Sequence, residues 1–291
     1  MNLPPEILKK VKLLEIQTRK LVNNTFAGEY HSAFKGQGMT FADFREYVPG
    51  DDVRAISWPL TARAGKPFIK KYDEERELTL MLVVDISGSQ DFGTSQYFKG
   101  EAVAQLAAIL GFSAVKNRDQ IGMLMFSDQV EHFVPPRKGR GHTHRILRDL
   151  FYFRPQHRGT KISSALDYLQ GVLKKRATVF IFSDFMDRGF ESSLKMMGKK
   201  HDTIAVVIND RAEVALPDLG LIEMEDAETG QTLVVDTASP VFRYNFKKTV
   251  LAQREKRDSE LKRAQVERVD IMTDHDIVDP LIRFFQRRHR R

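Results

Sequence analysis

Three oxygen-bearing side chains stand two residues apart in the segment Asp85-Ile86-Ser87-Gly88-Ser89, directly after a run of apolar residues. In an extended turn this spacing points all three side chains to the same side, and Gly88 relieves the crowding between them. Carboxylate and hydroxyl oxygens are the hard donors that Mg²⁺ and Mn²⁺ prefer. The segment therefore predicts part of a binding site for a divalent cation.

Two further donors stand at matching places along the chain. Asp184 follows the apolar run 177–183, and Thr160 precedes a predicted helix that begins near Ile162. In an open α/β sheet, such positions gather at the carboxyl edge of the strands. We therefore predict a site for Mg²⁺, or else Mn²⁺ or Ca²⁺, made of Asp85, Ser87, Ser89, Thr160 and Asp184. Since only two of these groups are carboxylates, an acidic group from outside would complete the coordination shell well.

A simpler interpretation is that Asp85 and Ser87 only cap the next helix. That helix is predicted to begin near Ser95, which is too far along the chain for a cap. The metal interpretation is therefore preferred.

Beyond residue 67, apolar runs alternate with amphipathic segments, which predicts an α/β fold with a doubly wound, mostly parallel, Rossmann-like sheet. Residues 129–134 are predicted as an edge strand, and 221–226 with 232–236 as a hairpin around the turn Glu228-Thr229-Gly230-Gln231. The remaining predicted strands are 79–85, 120–126, 177–183, 202–208 and 268–272, and the predicted helices are 97–116, 143–152, 162–175, 190–199, 240–265 and 277–288.

The N-terminal part has a different pattern. A helix is predicted over residues 4–23, and the glycine-rich, aromatic stretch 28–66 favours loops and short strands over helix. The aromatic side chains Phe41, Tyr47 and Trp58 are predicted to pack in a core. We therefore divide the chain into an N-terminal helix with a β-rich extension, residues 1–76, and an α/β domain, residues 77–291.

Composition and charge exclude several classes of function. The 291 residues include no cysteine, so disulfide scaffolds, thiolate zinc sites and cysteine nucleophiles are excluded. The formal net charge of +7 is segregated: residues 137–158 hold seven Lys and Arg, whereas 212–236 hold seven acidic residues and no basic one. This pattern favours docking to charged protein surfaces over a continuous nucleic-acid groove. Nucleic-acid binding through 137–158 stays open as an alternative.

Catalytic motifs are absent from the sequence. There is no phosphate-binding Walker motif and no G-x-S-x-G nucleophile elbow. A metal-dependent hydrolase that uses Asp85 and Asp184 stays open as the second alternative, and Asp187 could add a carboxylate to it. The prediction is nevertheless a protein that is not an enzyme.

Membrane and export signals are not predicted either. Residues Met1 to Asn24 are charged and lack the apolar core of a signal peptide. The longest apolar runs, such as 80–84 and 178–182, are far shorter than the roughly 20 residues that span a bilayer. We predict a cytoplasmic protein that meets membranes only through partners.

The predicted metal ligands resemble the metal-ion-dependent adhesion site of von Willebrand factor A-like domains. In that resemblance Asp85, Ser87 and Ser89 belong to the first metal loop and Thr160 to the second. Asp184 belongs to the third loop and often acts through water. The resemblance implies that the ion binds a carboxylate of a partner protein and is not catalytic.

The N-terminal stretch resembles the bacterial domain-of-unknown-function family fifty-eight, which joins such a segment to an A-like domain. Members resemble companions of MoxR-type AAA+ ATPases, which implies a machine that matures or remodels client proteins, with an acidic client segment at the metal site. Thr40, Ser57 and Gln90 depart from the family pattern. The matching residues are Gly36-Gln37-Gly38, Phe41, Arg45-Glu46-Tyr47, Pro49-Gly50-Asp51-Asp52, Arg54, Ile56, Trp58 and Ala62-Arg63.

Overall fold

A computed structural model describes residues 5–22, 30, 33, 40–73, 77–91 and 98–290. Gly36-Gln37-Gly38 and the predicted helix start near Ser95 lie outside the described residues. The strands are β1 (Thr40–Glu46), β2 (Phe68–Asp73), β3 (Thr79–Asp85), β4 (Gln120–Phe126), β5 (Val130–Arg137), β6 (Thr178–Ser183), β7 (Asp202–Asn209), β8 (Leu221–Glu225), β9 (Thr232–Asp236) and β10 (Glu267–Met272). The α-helices are α1 (Pro5–Leu21), α2 (Trp58–Ala64), α3 (Lys99–Lys116), α4 (Arg140–Tyr152), α5 (Ile162–Val172), α6 (Glu191–Lys200), α7 (Pro240–Ala264) and α8 (Asp279–His289).

A six-stranded sheet forms the centre of the molecule, in the order β10-β7-β6-β3-β4-β5. All neighbouring strands run parallel except β5, which pairs antiparallel with β4 at the edge. The chain proceeds from β3 toward one edge through β4 and β5, and then returns to the other side of β3 through β6. The predicted α/β class with a doubly wound, mostly parallel sheet is confirmed. Strands β3 and β4 have their predicted bounds.

Alternate residues of β3 contribute to two hydrophobic cores, one on each face of the sheet. Leu80 and Leu82 face the layer formed by α1, α3, α4 and α8. Met81 and Val83 face the layer formed by α5, α6 and α7. All four side chains are fully buried, as a strand covered on both faces requires. This double cover holds the carboxyl end of β3 in place.

The N-terminal helix and the β-rich segment have different surroundings. Helix α1 contributes Val11 and Leu14 to the core shared with α3 and α4. Strands β1 and β2 form their own antiparallel pair outside the six-stranded sheet. The boundary between residues 76 and 77 stays a prediction.

In the described part of the stretch 28–66, strand β1 and the loops agree with the prediction, but two features differ from it. The stretch contains a helix, α2, which begins at Trp58 with Pro59 in its first turn and ends at Gly65 in the left-handed conformation, with φ of 71°. The Trp58 side chain is 66% exposed and therefore does not pack in a core. The high glycine and aromatic content of this stretch favoured a prediction of loops and short strands, although Pro59 and Gly65 mark the start and end of α2.

Candidate metal centre

The candidate site lies where the two central strands end. Asp85 is the last residue of β3, and Asp184 directly follows the last residue of β6. These strands are parallel neighbours, with Val84 beside Phe182. Both carboxylates therefore leave the sheet at the same edge, beside the position at which the strand order reverses.

Hydrogen bonds tie the first loop to Asp85. The Oδ2 atom of Asp85 accepts a hydrogen bond from the Ser183 hydroxyl at 2.6 Å. Its Oδ1 atom accepts one from the Ser87 backbone N–H at 3.0 Å. The Ser87 and Ser89 hydroxyl oxygens lie 3.2 Å apart. The chain turns through a short 3₁₀ segment, Gly88–Asp91, directly after Ser87. The loop thus presents its two hydroxyls beside the Asp85 carboxylate.

Asp184 is held by charge as well as by hydrogen bonds. Its Oδ2 lies 3.1 Å from the ammonium nitrogen of Lys99, and its Oδ1 accepts the Met186 N–H at 3.2 Å. The Ser89 hydroxyl also donates to this carboxylate. Burial acts to raise the pKa of Asp184, but Lys99 and these hydrogen bonds outweigh it and lower the pKa below its usual value. Asp184 is therefore ionised.

Asp85 has the opposite electrostatic balance. Burial, and to a smaller extent the nearby Asp184 carboxylate, raise the pKa of Asp85 to about 7. The hydrogen bonds from Ser183 and Ser87 act in the opposite direction but are outweighed. Two buried carboxylates thus lie near one another, and Lys99 compensates the negative charge of Asp184 only. A divalent cation between the loops would compensate the first. The donor set, carboxylate and hydroxyl oxygens only, fits Mg²⁺.

Thr160 lies on an adjacent loop. The Gly88 N–H donates to the carbonyl oxygen of Arg158 at 2.9 Å, so this loop runs beside the first one. The Thr160 hydroxyl donates to Oε1 of Glu228 at 2.6 Å. The structure therefore brings Asp85, Ser87, Ser89 and Asp184 together. Thr160 lies on the adjacent loop, and its hydroxyl is bonded to a carboxylate, Glu228, that no sequence motif indicated as part of the site.

A charged network beneath the site was also missed. Lys99 is fully buried and pairs with Glu213 as well as with Asp184. Burial alone would lower the pKa of Lys99, but the two carboxylates raise it above its usual value. Arg254 pairs with Glu213 at 3.2 Å.

Arg257 completes this network from α7. Its Nη1 donates to the backbone carbonyl of Asp184 and to Oδ1 of Asn209, both at 3.1 Å. A signal for Arg257 was present in the sequence, because it shares one helical face with Leu261 and Ala264, the other buried residues of α7. A basic residue on such a face must find a buried partner.

Asp187 does not add a carboxylate to the site. Its Oδ2 accepts the Ile162 N–H at 2.8 Å, which satisfies the start of α5, and its Oδ1 accepts the Arg188 N–H at 2.6 Å. Across the part of the chain that the structure describes, no group of three or more His, Asp or Glu side chains forms a metal-binding cluster.

Most of the basic side chains in 137–158 are paired within the chain. Five of the seven form ion pairs with acidic residues: Lys138 with Glu77, Arg140 with Glu15, Arg145 and Arg148 with Asp149, and Arg158 with Glu225. Such pairing reduces the charge available to a phosphate backbone.

Within the described ranges, no helix is both long and apolar enough to cross a bilayer.

Comparisons with known proteins agree with this architecture. An uncharacterised protein of Mycobacterium tuberculosis is 28% identical over 289 residues, which cover 98% of this chain and 91% of the relative. The conserved hypothetical protein BatB from Bacteroides thetaiotaomicron superposes with a TM-score of 0.52 at 14% identity, over 74% of this chain and 100% of that chain. An aerotolerance-related membrane protein from Bacteroides fragilis superposes with a TM-score of 0.50 at 13% identity, over 73% and 98% of the two chains.

The order and direction of the strands, with helices on both faces of the sheet, define a von Willebrand factor A-like fold. The profile of the family described as "Protein of unknown function DUF58" matches residues 43–256, and the chain belongs to that family. Neither the family description nor the names of these relatives state a catalytic activity.

Proposed function

We propose that this protein is a non-catalytic, metal-dependent protein–protein interaction module. One observation carries the proposal: two buried carboxylates, Asp85 and Asp184, lie with the hydroxyls of Ser87 and Ser89 at the carboxyl edge of the sheet, and the loop that carries Thr160 bonds to Gly88. These are the five residues that the sequence selected. An A-like fold with this edge supports protein interaction as the general function.

Asp85, Ser87, Ser89, Thr160 and Asp184 would hold Mg²⁺, with Mn²⁺ or Ca²⁺ as alternatives. When bound, the ion supplies a Lewis acid for a carboxylate of a partner. The chain itself supplies the rigid support, because Ser183 and Lys99 fix the two carboxylates. The partner that this chemistry fits is an acidic segment of a client protein.

We further propose that the module acts with a MoxR-type AAA+ ATPase in the maturation or remodelling of client proteins. The chain belongs to the DUF58 family. The resemblance of that family's members to companions of such ATPases supports the proposed partnership. Cytoplasmic location, and contact with membranes only through partners, stay predictions.

The two other candidate functions have weaker support. A hydrolase that uses Asp85 and Asp184 would need further carboxylates around the ion, and Asp187 is engaged at the start of α5 instead. Nucleic-acid binding through 137–158 would need free basic side chains, but five of the seven are paired.

A pull-down with the purified MoxR-type ATPase of the same organism, and with its client, tests the proposal. Wild-type protein, Asp85→Ala and Asp270→Asn are compared with Mg²⁺ and with EDTA, after circular dichroism has verified folding. Asp270 is the control because it is an exposed carboxylate on the distant edge strand β10. Binding that both EDTA and Asp85→Ala abolish supports the proposal. Binding that neither affects, or turnover of phosphoesters by the isolated chain, contradicts it.

A further inference from the structure

The tip of the β8–β9 hairpin, residues 226–230, rests on the first loop of the candidate centre. A Cβ atom at Gly88 would lie 2.0 Å from the carbonyl oxygen of Ala227, so the two backbones are in direct contact there. The Oε1 atom of Glu225 lies 3.5 Å from Nη1 of Arg158, and the backbone carbonyl of Arg158 is the group that bonds to Gly88. The acidic hairpin is therefore packed against the predicted metal loops.

Glu228 is the residue of this tip that reaches the candidate centre. Its Oε1 accepts a 2.6 Å hydrogen bond from the hydroxyl of Thr160, a predicted metal ligand. The two residues are 68 positions apart in the sequence, so the contact is a product of tertiary structure. A carboxylate of the chain itself thus lies in direct contact with one of the five predicted metal ligands.

The turn that carries Glu228 is well defined. Oδ1 of Asp226 accepts the backbone N–H groups of Glu228 at 3.0 Å and Thr229 at 2.8 Å. These bonds lower the pKa of Asp226 below its usual value, and Gly230 completes the turn with φ of 70°. These bonds hold the backbone of Glu228 in place within the turn.

The hairpin is an addition to the fold and not part of its sheet. Strands β8 and β9 pair with each other in a separate two-stranded sheet. Of the ten residues in these two strands, all of them described, only Val235 is buried. Displacement of the tip would therefore leave the six-stranded sheet and its two cores intact.

We propose that Glu228 is an internal carboxylate ligand of the candidate centre, and that it occupies the place of a partner's carboxylate until the 226–230 turn is displaced. This inference rests on the proposed function. A tethered carboxylate acts at a high effective concentration, so a single carboxylate in solution competes poorly. A partner must add contacts to the surrounding surface, which makes the hairpin a filter for extended acidic segments.

Binding of Mn²⁺ alone tests the inference without an identified partner. We would measure its affinity by calorimetry and the water-proton relaxation per bound ion, for wild type, Glu228→Gln, Glu223→Gln and Asp85→Ala. Glu223 is the matched control because it is an exposed glutamate of the same hairpin. Hydrogen exchange of amides 226–231, with and without Mn²⁺, reports on the turn itself.

We expect Glu228→Gln to weaken Mn²⁺ binding about tenfold and to raise the relaxation per bound ion, because water takes the vacated position. Mn²⁺ should protect amides 226–231 in wild type and in Glu223→Gln, but not in Glu228→Gln. If Asp85→Ala abolishes Mn²⁺ binding while Glu228→Gln matches wild type in every measurement, the inference is wrong and the metal centre stands. If wild type and Asp85→Ala bind Mn²⁺ equally, both proposals fail.

Discussion

The ammonium nitrogen of Lys99 lies 3.1 Å from Oδ2 of Asp184, and the lysine side chain is fully buried. The same ammonium group pairs with Glu213, so one cation from the start of α3 joins the loop after β6 to the segment after β7. Because an ammonium group is strongly hydrated in water, its burial is tolerated only where carboxylates replace that hydration. Lys99 is therefore an electrostatic support of the candidate centre.

Replacement of this cation should be costly. We expect Lys99→Met to lower the free energy of unfolding by about 3–5 kcal/mol, because Asp184 loses its cation and Glu213 loses one of its two cationic partners. Urea denaturation at neutral pH, followed by circular dichroism, measures the change. Lys195→Met, at an exposed position on α6, is the control and should change stability by less than about 0.5 kcal/mol. Equal stability of the two variants would refute this role of Lys99.

Sequence pattern predicted those parts of the structure that depend on local periodicity. Strand β3 was predicted with its observed bounds because five consecutive apolar residues, Leu80–Val84, directly precede Asp85. The five candidate ligands were selected because they follow or precede such elements. Helix α2 was missed, although Pro59 and Gly65 mark its two ends.

Contacts between distant parts of the chain could not be predicted in this way. Lys99 and Asp184 are 85 positions apart, and no periodic pattern connects them. The contact between Gly88 and Ala227 joins two turns whose relative position depends on the whole sheet. Burial of Lys99 among apolar residues of α3 runs against the usual preference of lysine for solvent. Only the three-dimensional arrangement shows the compensating carboxylates.

Gly88 should tolerate no side chain, because a Cβ atom there would overlap the carbonyl of Ala227. We expect Gly88→Ala to push the 226–230 turn away, to lower stability by about 1–3 kcal/mol and to speed hydrogen exchange at amides 226–231. Gly171→Ala is the control, since α5 leaves open space around that position. It should raise stability by about 0.5–1 kcal/mol. Unchanged exchange at 226–231 in Gly88→Ala would contradict the observed packing.

His201 should make stability depend on pH. Burial, with Lys200 and Arg176 nearby, lowers the pKa of His201 to about 4, and its Nδ1 accepts the Ala177 N–H at 3.2 Å. In the unfolded chain, His201 binds a proton below its ordinary pKa of about 6.5, whereas in the folded protein it binds one only below about pH 4. Stability is therefore lost as the pH falls through this window, by about 2 kcal/mol between pH 7.5 and pH 5.

The His201→Gln variant tests this pH dependence. Glutamine does not titrate, so the loss of stability between pH 7.5 and pH 5 should shrink by about 2 kcal/mol relative to wild type. His275→Gln is the control, because the His275 side chain is 73% exposed. Urea denaturation at both pH values provides the measurement. A slope for His201→Gln that matches wild type would show that another group dominates the acid sensitivity.

Addition of a divalent cation should stabilise the folded protein through the candidate centre. An ion that binds only the folded state, present at about 100 times its Kd, adds about 2.7 kcal/mol to the free energy of unfolding. We expect this gain with Mg²⁺ in wild type and in Asp270→Asn, and its reversal by EDTA. Asp85→Ala should show none, because it removes a carboxylate that is 2% exposed and faces the centre. Urea denaturation at constant ionic strength separates site binding from general salt effects, and an equal Mg²⁺ gain in Asp85→Ala would place the ion elsewhere.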